Sequence, residues 1–282
     1  MAAGDLITDD LQIEFNDLLM GDDASGLEIV QFTPFDYPDL RSSDIARPLD
    51  HGLFPGTDYF GGRTITLRLE TWGGWDAVRR ALAAFQVGAE LPLVWQQDGI
   101  GKLMANVRVR RRGPLQIDSA YAVAGMSGCA VEFAATDPRI YSNEIHSATA
   151  TLEAAASGMT FNATFNLLFG VGTSSTASVE NIGTFETRPL IRITGAVDAP
   201  SLINETTGKT LALSGSLAAG EYVDVDFLNR TVMLNGESSR YNWVVDSAGW
   251  WTLEPGINSI RLSGSPGSPT PTADIQWRDA YV

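Results

Sequence analysis

Residues 221–236 read EYVDVDFLNRTVMLNG, and they decide the fold class. Tyr222, Asp224 and Asp226 alternate with Val223, Val225 and Phe227, which on a strand puts the polar set on one face and the apolar set on the other. Asn229 then turns the chain into RTVMLNG, so the stretch predicts a β-hairpin. The same grammar recurs on both sides, in RPLIRITG, KTLALSG, NSIRLSG and ADIQWRD, punctuated by turns such as LNG and EPGIN. Short strands at this regular spacing predict an antiparallel β-sandwich or jelly roll from Ser178 onward. Asp224 and Asp226 share a strand face, where a calcium ion would need more oxygen ligands than the neighbourhood supplies. They are read as a solvated face, with no metal site.

The first half also alternates. LQIEF places Leu11, Ile13 and Phe15 on one side, and RTITLRLE places Ile65, Leu67 and Leu69 opposite Thr66, Arg68 and Glu70. One helix is predicted near 75–87, where Trp75, Val78, Leu82 and Phe85 form an apolar stripe, Asp76 sits in the first turn and Gly88 is a stop. LPLVW, a QDGIG turn and KLMANVRVRRR predict a hairpin. Its second arm buries Leu103, Ala105, Val107 and Val109 and turns Met104, Asn106, Arg108 and Arg110 outward. Residues 119–134 read as a strand pair or a long bent strand, and TDPRIYS as a domain exit. Residues 33–62 show neither period, the mark of a functional or partner-ordered loop. The fold class is therefore mainly β. An N-terminal β-sandwich with one α-helix and a hairpin covers 1–142, and a C-terminal sandwich covers 143–282.

Composition agrees with a packed β protein: of 282 residues 44% are hydrophobic and 19% charged, with 28 Gly and 13 Pro. The single cysteine, Cys129, rules out an internal disulfide framework and reads as a small core residue within SGCAVEF. MAAGDLITDDLQIEF has no basic flank before an apolar run, and no apolar run approaches the roughly 18 to 20 residues of a membrane span. A soluble protein made in a cytoplasm is expected. The formal charge of -15 is uneven: residues 1–60 hold 13 acids against 2 bases, whereas 61–140 hold 7 against 10. Such a chain is repelled by DNA at long range.

Catalytic chemistry has little support. His51 and His146 stand far apart in loop settings without a nucleophile elbow or HExxH frame. GGRTITL and GVGTSST lack the lysine of a phosphate loop. No catalytic residue and no cofactor is assigned. The aromatics Tyr241, Trp243, Trp250 and Trp251 carry two readings. They are core and rim tryptophans, or Trp243, Trp250 and Trp251 stack sugar rings on flat apolar faces. Arg108, Arg110, Arg111 and Arg112 carry two as well, a solvated strand face or a contact between subunits. A DNA grip would need accompanying aromatics or a readable motif, and neither is present.

In order along the chain, YPDLRSSDIARPLDHGLFPGTDYFGGRTITLRLE, the helix, VEFAATDPRIYS, GKTLALSG, RTVMLNG, EPGIN and WRDAYV resemble the distal tail proteins of siphophages. The resemblance implies an N-terminal domain that closes a six-fold ring continuing the tail tube, and an outward galectin-like C-terminal sandwich. It implies a structural, non-enzymatic virion protein of the tail tip, made in the host bacterial cytoplasm. Its partners would be further copies of itself, the tail tube protein, the tail-tip hub protein and, in some phages, the tape measure and receptor-binding proteins. DNA would pass through the ring without specific binding, and no membrane insertion is implied. A glycan-binding adhesin module acting through the C-terminal sandwich is the alternative.

Overall fold

The computed structural model describes residues 2–72, 74–114, 127–152, 176–268 and 270–282, and these are mainly β. Residues 119–126 of the 119–134 reading, and nearly all of GVGTSST, lie outside the described residues. Two compact units form, one of Met1–Asn143 with Tyr281–Val282, the other of Glu144–Ala280.

Unit 1 contains β1 (Ile13–Phe15), β2 (Leu18–Met20), β3 (Leu27–Thr33), β4 (Leu40–Arg41), β5 (Ile45–Ala46), β6 (Leu53–Phe54), β7 (Tyr59–Phe60), β8 (Arg63–Thr71), α1 (Gly74–Ala84), β9 (Leu91–Gln97), β10 (Gly101–Arg112), β11 (Ser127–Ala135) and β12 (Ile140–Ser142). The main sheet runs β2-β1-β9-β10-β11-β8-β3, all pairings antiparallel. At 12 residues β10 is long enough to serve two layers: its first half pairs with β9 and β12, its last residues with β11. The sides it shows follow the alternation, with Leu103, Ala105, Val107 and Val109 buried. They meet Ile65, Leu67, Leu69, Phe15 and Phe133 in one core.

The helix departs from expectation. It ends at Ala84, and the buried side chains are Ala77, Val78, Ala81 and Ala84, with Phe85 just beyond. Trp75 is 55% exposed. Alanines let the helix lie close on the sheet, and a tryptophan there would force it away, so the predicted stripe is rotated toward the small residues. Residues 33–62 are also more ordered than a loop. β4 pairs with β7 and β5 with β6, so the segment is one hairpin nested inside another, an arm leaving the body between β3 and β8.

Unit 2 contains β13 (His146–Thr151), β14 (Thr176–Asn181), β15 (Leu190–Thr194), β16 (Val197–Asn204), β17 (Lys209–Ala212), β18 (Ser216–Leu217), β19 (Tyr222–Asp226), β20 (Thr231–Leu234), β21 (Ser238–Ser239), β22 (Gly256–Pro266) and β23 (Thr272–Trp277). A six-stranded sheet, β13-β23-β15-β19-β20-β21, faces a five-stranded one built on β14-β22-β16-β17 with β18 beside β16. Ile191, Ile193, Val223, Val225 and Ile275 from the first meet Val179, Leu202, Leu211, Ile260 and Leu262 from the second across one core, a β-sandwich. Residues 221–236 form the predicted hairpin: Val223 and Val225 are fully buried, and β19 and β20 are joined through residues 227–230. Buried asparagines tie off the loops. Asn181 donates to the Phe185 carbonyl at 2.8 Å and accepts from the Gly183 and Ala280 amides. β24 (Ala280–Tyr281) ends the chain, and Tyr281 packs against the unit 1 core.

Candidate assembly surfaces

The arm is built without a core. Leu40, Ile45, Leu49, Leu53, Phe54 and Tyr59 are each more than half exposed, and Leu49 at its tip is fully so. Two-residue ladders bury nothing of their own, and a bare hairpin is at best marginally stable in water. Polar pins hold it instead. Ser43 Oγ donates to the Thr57 carbonyl at 2.7 Å, the Gly56 amide donates to Asp44 Oδ1 at 2.7 Å, and the Arg47 guanidinium lies 5.0 Å from the Phe54 ring centroid. A Cβ on Gly56 would fall 2.4 Å from the Ser43 backbone, so the two legs approach as only glycine allows.

Its root is fixed by Arg63, 1% exposed. The guanidinium donates to the carbonyls of Pro138 (2.8 Å), Pro34 (3.1 Å) and Asp36 (2.6 Å). Burial pushes its pKa down, opposed by the Asp36 charge. Three carbonyls from two segments thus converge on one cation at the point where the arm departs.

The arginine cluster lies on β10 and the structure alters its geometry. A β-bulge between Val109 and Arg111 interrupts the alternation, leaving Arg108 opposite Ala134, Arg111 opposite Glu132 and Arg112 opposite Val131. Arg108 and Arg111 therefore share the outer face. Arg112 turns to the other side, where its charge opposes the upward push of burial on the Cys129 thiol. Sequence alternation alone pairs Arg108 with Arg110 and misses this shift, because a bulge adds one residue without a compositional mark. None of the four guanidinium groups forms a hydrogen bond or ion pair among the described residues. The acids of residues 1–60 are exposed or half-buried except Glu14, which accepts the Leu6 amide at 2.9 Å. The arm, residues 34–62, holds 5 acids against 2 bases.

The tryptophans of unit 2 are largely occupied. Trp251 is 2% exposed, its indole N–H donating to the Leu202 carbonyl at 3.3 Å and its ring 4.3 Å from Phe227. It is a core residue, which removes it from the sugar-stacking reading. Trp250 is half-buried and sits edge-on to Phe227 at 5.3 Å. Trp243 is half-buried on a short 3-10 turn, with Gly215 so close that a Cβ there would fall 2.1 Å from the ring. The Arg240 guanidinium also lies over that ring, 5.7 Å from its centroid.

His51 is exposed on the arm, while His146 Nε2 meets the buried Asp279 carboxylate at 2.9 Å. Asp224 is engaged by Arg192, and Asp226 caps the turn at the Leu228 and Asn229 amides. Among the described residues no group of three or more His, Cys, Asp or Glu is placed to hold a metal ion. No helix among them is long and apolar enough to cross a membrane.

Residues 182–281 match the family described as siphovirus-type tail component, C-terminal domain. No curated protein sequence matches the chain. Among solved structures, the Dit protein of phage SPP1 is described as a paradigm of the hub adsorption apparatus in phages infecting Gram-positive bacteria. It aligns with a TM-score of 0.66 at 11% identity, covering 96% of this chain and 99% of that one. The phage P2 baseplate in its activated conformation with Ca gives 0.47 at 12% identity, covering 94% and 97%. The C-terminal third of the chain is thus similar to a siphovirus-type tail component domain, and along nearly its whole length the chain shares the fold of the SPP1 Dit protein.

Proposed function

We propose that this chain is the ring subunit of a siphophage tail tip: six copies close a ring that joins the tail tube to the tail-tip hub and leaves an axial channel for DNA. The observation that carries this reading is the arm. Six large exposed apolar side chains on a hairpin with no core of its own make a patch of the kind that marks a contact, and a neighbouring subunit is the natural cover. Ring closure needs two different patches on each copy, one meeting the other head to tail. The acidic arm and the arginines of β10, unpaired among the described residues, form such a complementary pair. They would set register more than affinity.

The channel follows from charge. A duct that passes DNA must not hold it, and acids facing the lumen repel phosphates. Some of the exposed acids of residues 1–60 line that channel. A ring structure with all of them on its outer rim would contradict this part.

Tail tube protein on one side, hub protein on the other, and tape measure and receptor-binding proteins nearby are the partners this position implies. A connector of this kind performs no reaction. Native mass spectrometry and negative-stain images of the purified chain, alone and mixed with tail tube protein, test it. Six-fold rings are expected, and a strict monomer in both samples at high concentration overturns the reading.

A further inference from the structure

The outer face of the six-stranded sheet in unit 2 holds a depression of about 360 Å³. Its floor is one cross-strand row: Thr149 opposite Asp274, Asp274 opposite Arg192, Arg192 opposite Asp224. Two residues along, Ser147, Gln276 and Leu190 form the next row.

Arg192 is held from two sides. Its Nε and one terminal nitrogen donate to the two Asp224 oxygens at 2.7 and 2.9 Å, and its plane lies 4.2 Å from the Tyr222 ring centroid. A guanidinium forked and stacked in this way loses little further freedom when it meets a ligand. Thr149 fixes Asp274 with a 2.7 Å hydrogen bond. Capacity remains: the other terminal nitrogen of Arg192, the Ser147 hydroxyl and the Gln276 amide have no partner among the described residues. In their midst Leu190 leaves an aliphatic surface 42% exposed.

Fixed planar donors and acceptors around a small apolar platform match the needs of a sugar ring. Neighbouring hydroxyls each donate and accept, so carboxylate, amide and guanidinium can each engage them, while the C–H face rests on the aliphatic side chain. Two carboxylates flank one guanidinium, so the row is net negative and disfavours phosphate or uronate.

We propose that this sheet face binds a neutral saccharide. The site lies apart from Trp243, Trp250 and Trp251, and it uses neither the arm nor the arginines of β10. Its failure would therefore leave the ring reading intact.

Full-length protein applied to a printed array of neutral hexosides, N-acetylhexosamines, uronates and phosphorylated sugars tests the site. Binding is expected on neutral sugars alone. It should weaken by about tenfold or more in Arg192→Ala and in Asp274→Asn, where one charged hydrogen-bond set is lost. It should be unchanged in Glu205→Ala, which removes the Arg261 ion pair beside the other sheet. Circular dichroism confirms that each variant is folded. Silence across the neutral sugars, or binding that survives both substitutions, overturns the proposal. So does binding lost in Trp243→Ala yet kept in Arg192→Ala, which would place the sugar at the tryptophan.

Discussion

Replacing Ile45 and Phe54 with serine is expected to weaken ring assembly and leave the melting of the isolated subunit unchanged. The two residues are cross-strand partners in the β5–β6 ladder, 67% and 52% exposed. Complete burial of such a side chain stabilises by about 1.5–3 kcal/mol, and more than half of that is still ungained in the free chain. Docking therefore draws about 1–2 kcal/mol from each, or about 2–4 kcal/mol from the pair at every interface. At 1.4 kcal/mol per decade, association falls by roughly 30- to 700-fold. Sedimentation velocity over a concentration series reads the shift, beside thermal melts of dilute protein. An oligomer distribution within about threefold of the parent refutes the reasoning, since the apolar arm would then be uncovered in the ring. So would a melting temperature lowered by more than about 4 °C, roughly the mark of 1 kcal/mol or more in a chain of this size, because the pair would then belong to the subunit's own core.

Reversing Arg108 and Arg110 to glutamate is expected to weaken assembly at 0.1 M salt and much less at 1 M, as the Debye length contracts from about 10 to about 3 Å. Equal assembly of variant and parent at both concentrations would leave these arginines a solvated face. Arg63→Met keeps the apolar stem and strands the carbonyls of Pro34, Asp36 and Pro138. It should cost about 2–4 kcal/mol in urea unfolding, and a loss under about 0.5 kcal/mol would show that water replaces the guanidinium. Hydrogen bonds from Arg261 and then Ser259 hold the Glu205 carboxyl below the ordinary carboxylate range. A depressed folded pKa means the pair stabilises above the ordinary value and is lost as pH falls through the folded one. Carboxyl NMR should show this low midpoint rising toward that of free glutamate in Arg261→Gln, and an unmoved midpoint would exclude Arg261 as the cause.

Where one face of a strand is buried, the sequence was readable. Val223 and Val225 in β19, Ile65, Leu67 and Leu69 in β8, and Leu103 to Val109 in β10 all announce their inner face by alternation, since burial selects every second residue. The arm had no such signature. Leu40–Arg41, Ile45–Ala46, Leu53–Phe54 and Tyr59–Phe60 pair as strands with both faces outward, so no period is selected and the segment reads as a loop. The helix was visible but its rotation was not. Large apolar residues set the expected stripe, whereas the close contact with the sheet selected Ala77, Ala81 and Ala84. Adjacent tryptophans showed that one must be inside without saying which, and only the packing of Trp251 on Phe227 decides it.

The surface features are legible mainly as departures from the rules that describe the core. Apolar residues on a strand should alternate and hide, yet in the arm they do neither. A run of arginines on the outer face of a strand should find carboxylates, yet among the described residues Arg108, Arg110 and Arg111 stay unpaired although Glu132 stands opposite Arg111. A polar sheet face, by contrast, should be loosely hydrated, and the row from Thr149 to Asp224 is instead tightly interlocked. The first two departures leave needs unmet within a single chain, apolar area to cover and charge to neutralise. Contact with another copy meets both at once. The third leaves a rigid array whose internal bonds are complete and whose outward donors are not, which a second protein surface would have to match atom for atom. A small hydroxylated ligand can rotate to satisfy such an array, and for that reason we propose assembly for the arm and the arginines and recognition for the sheet face.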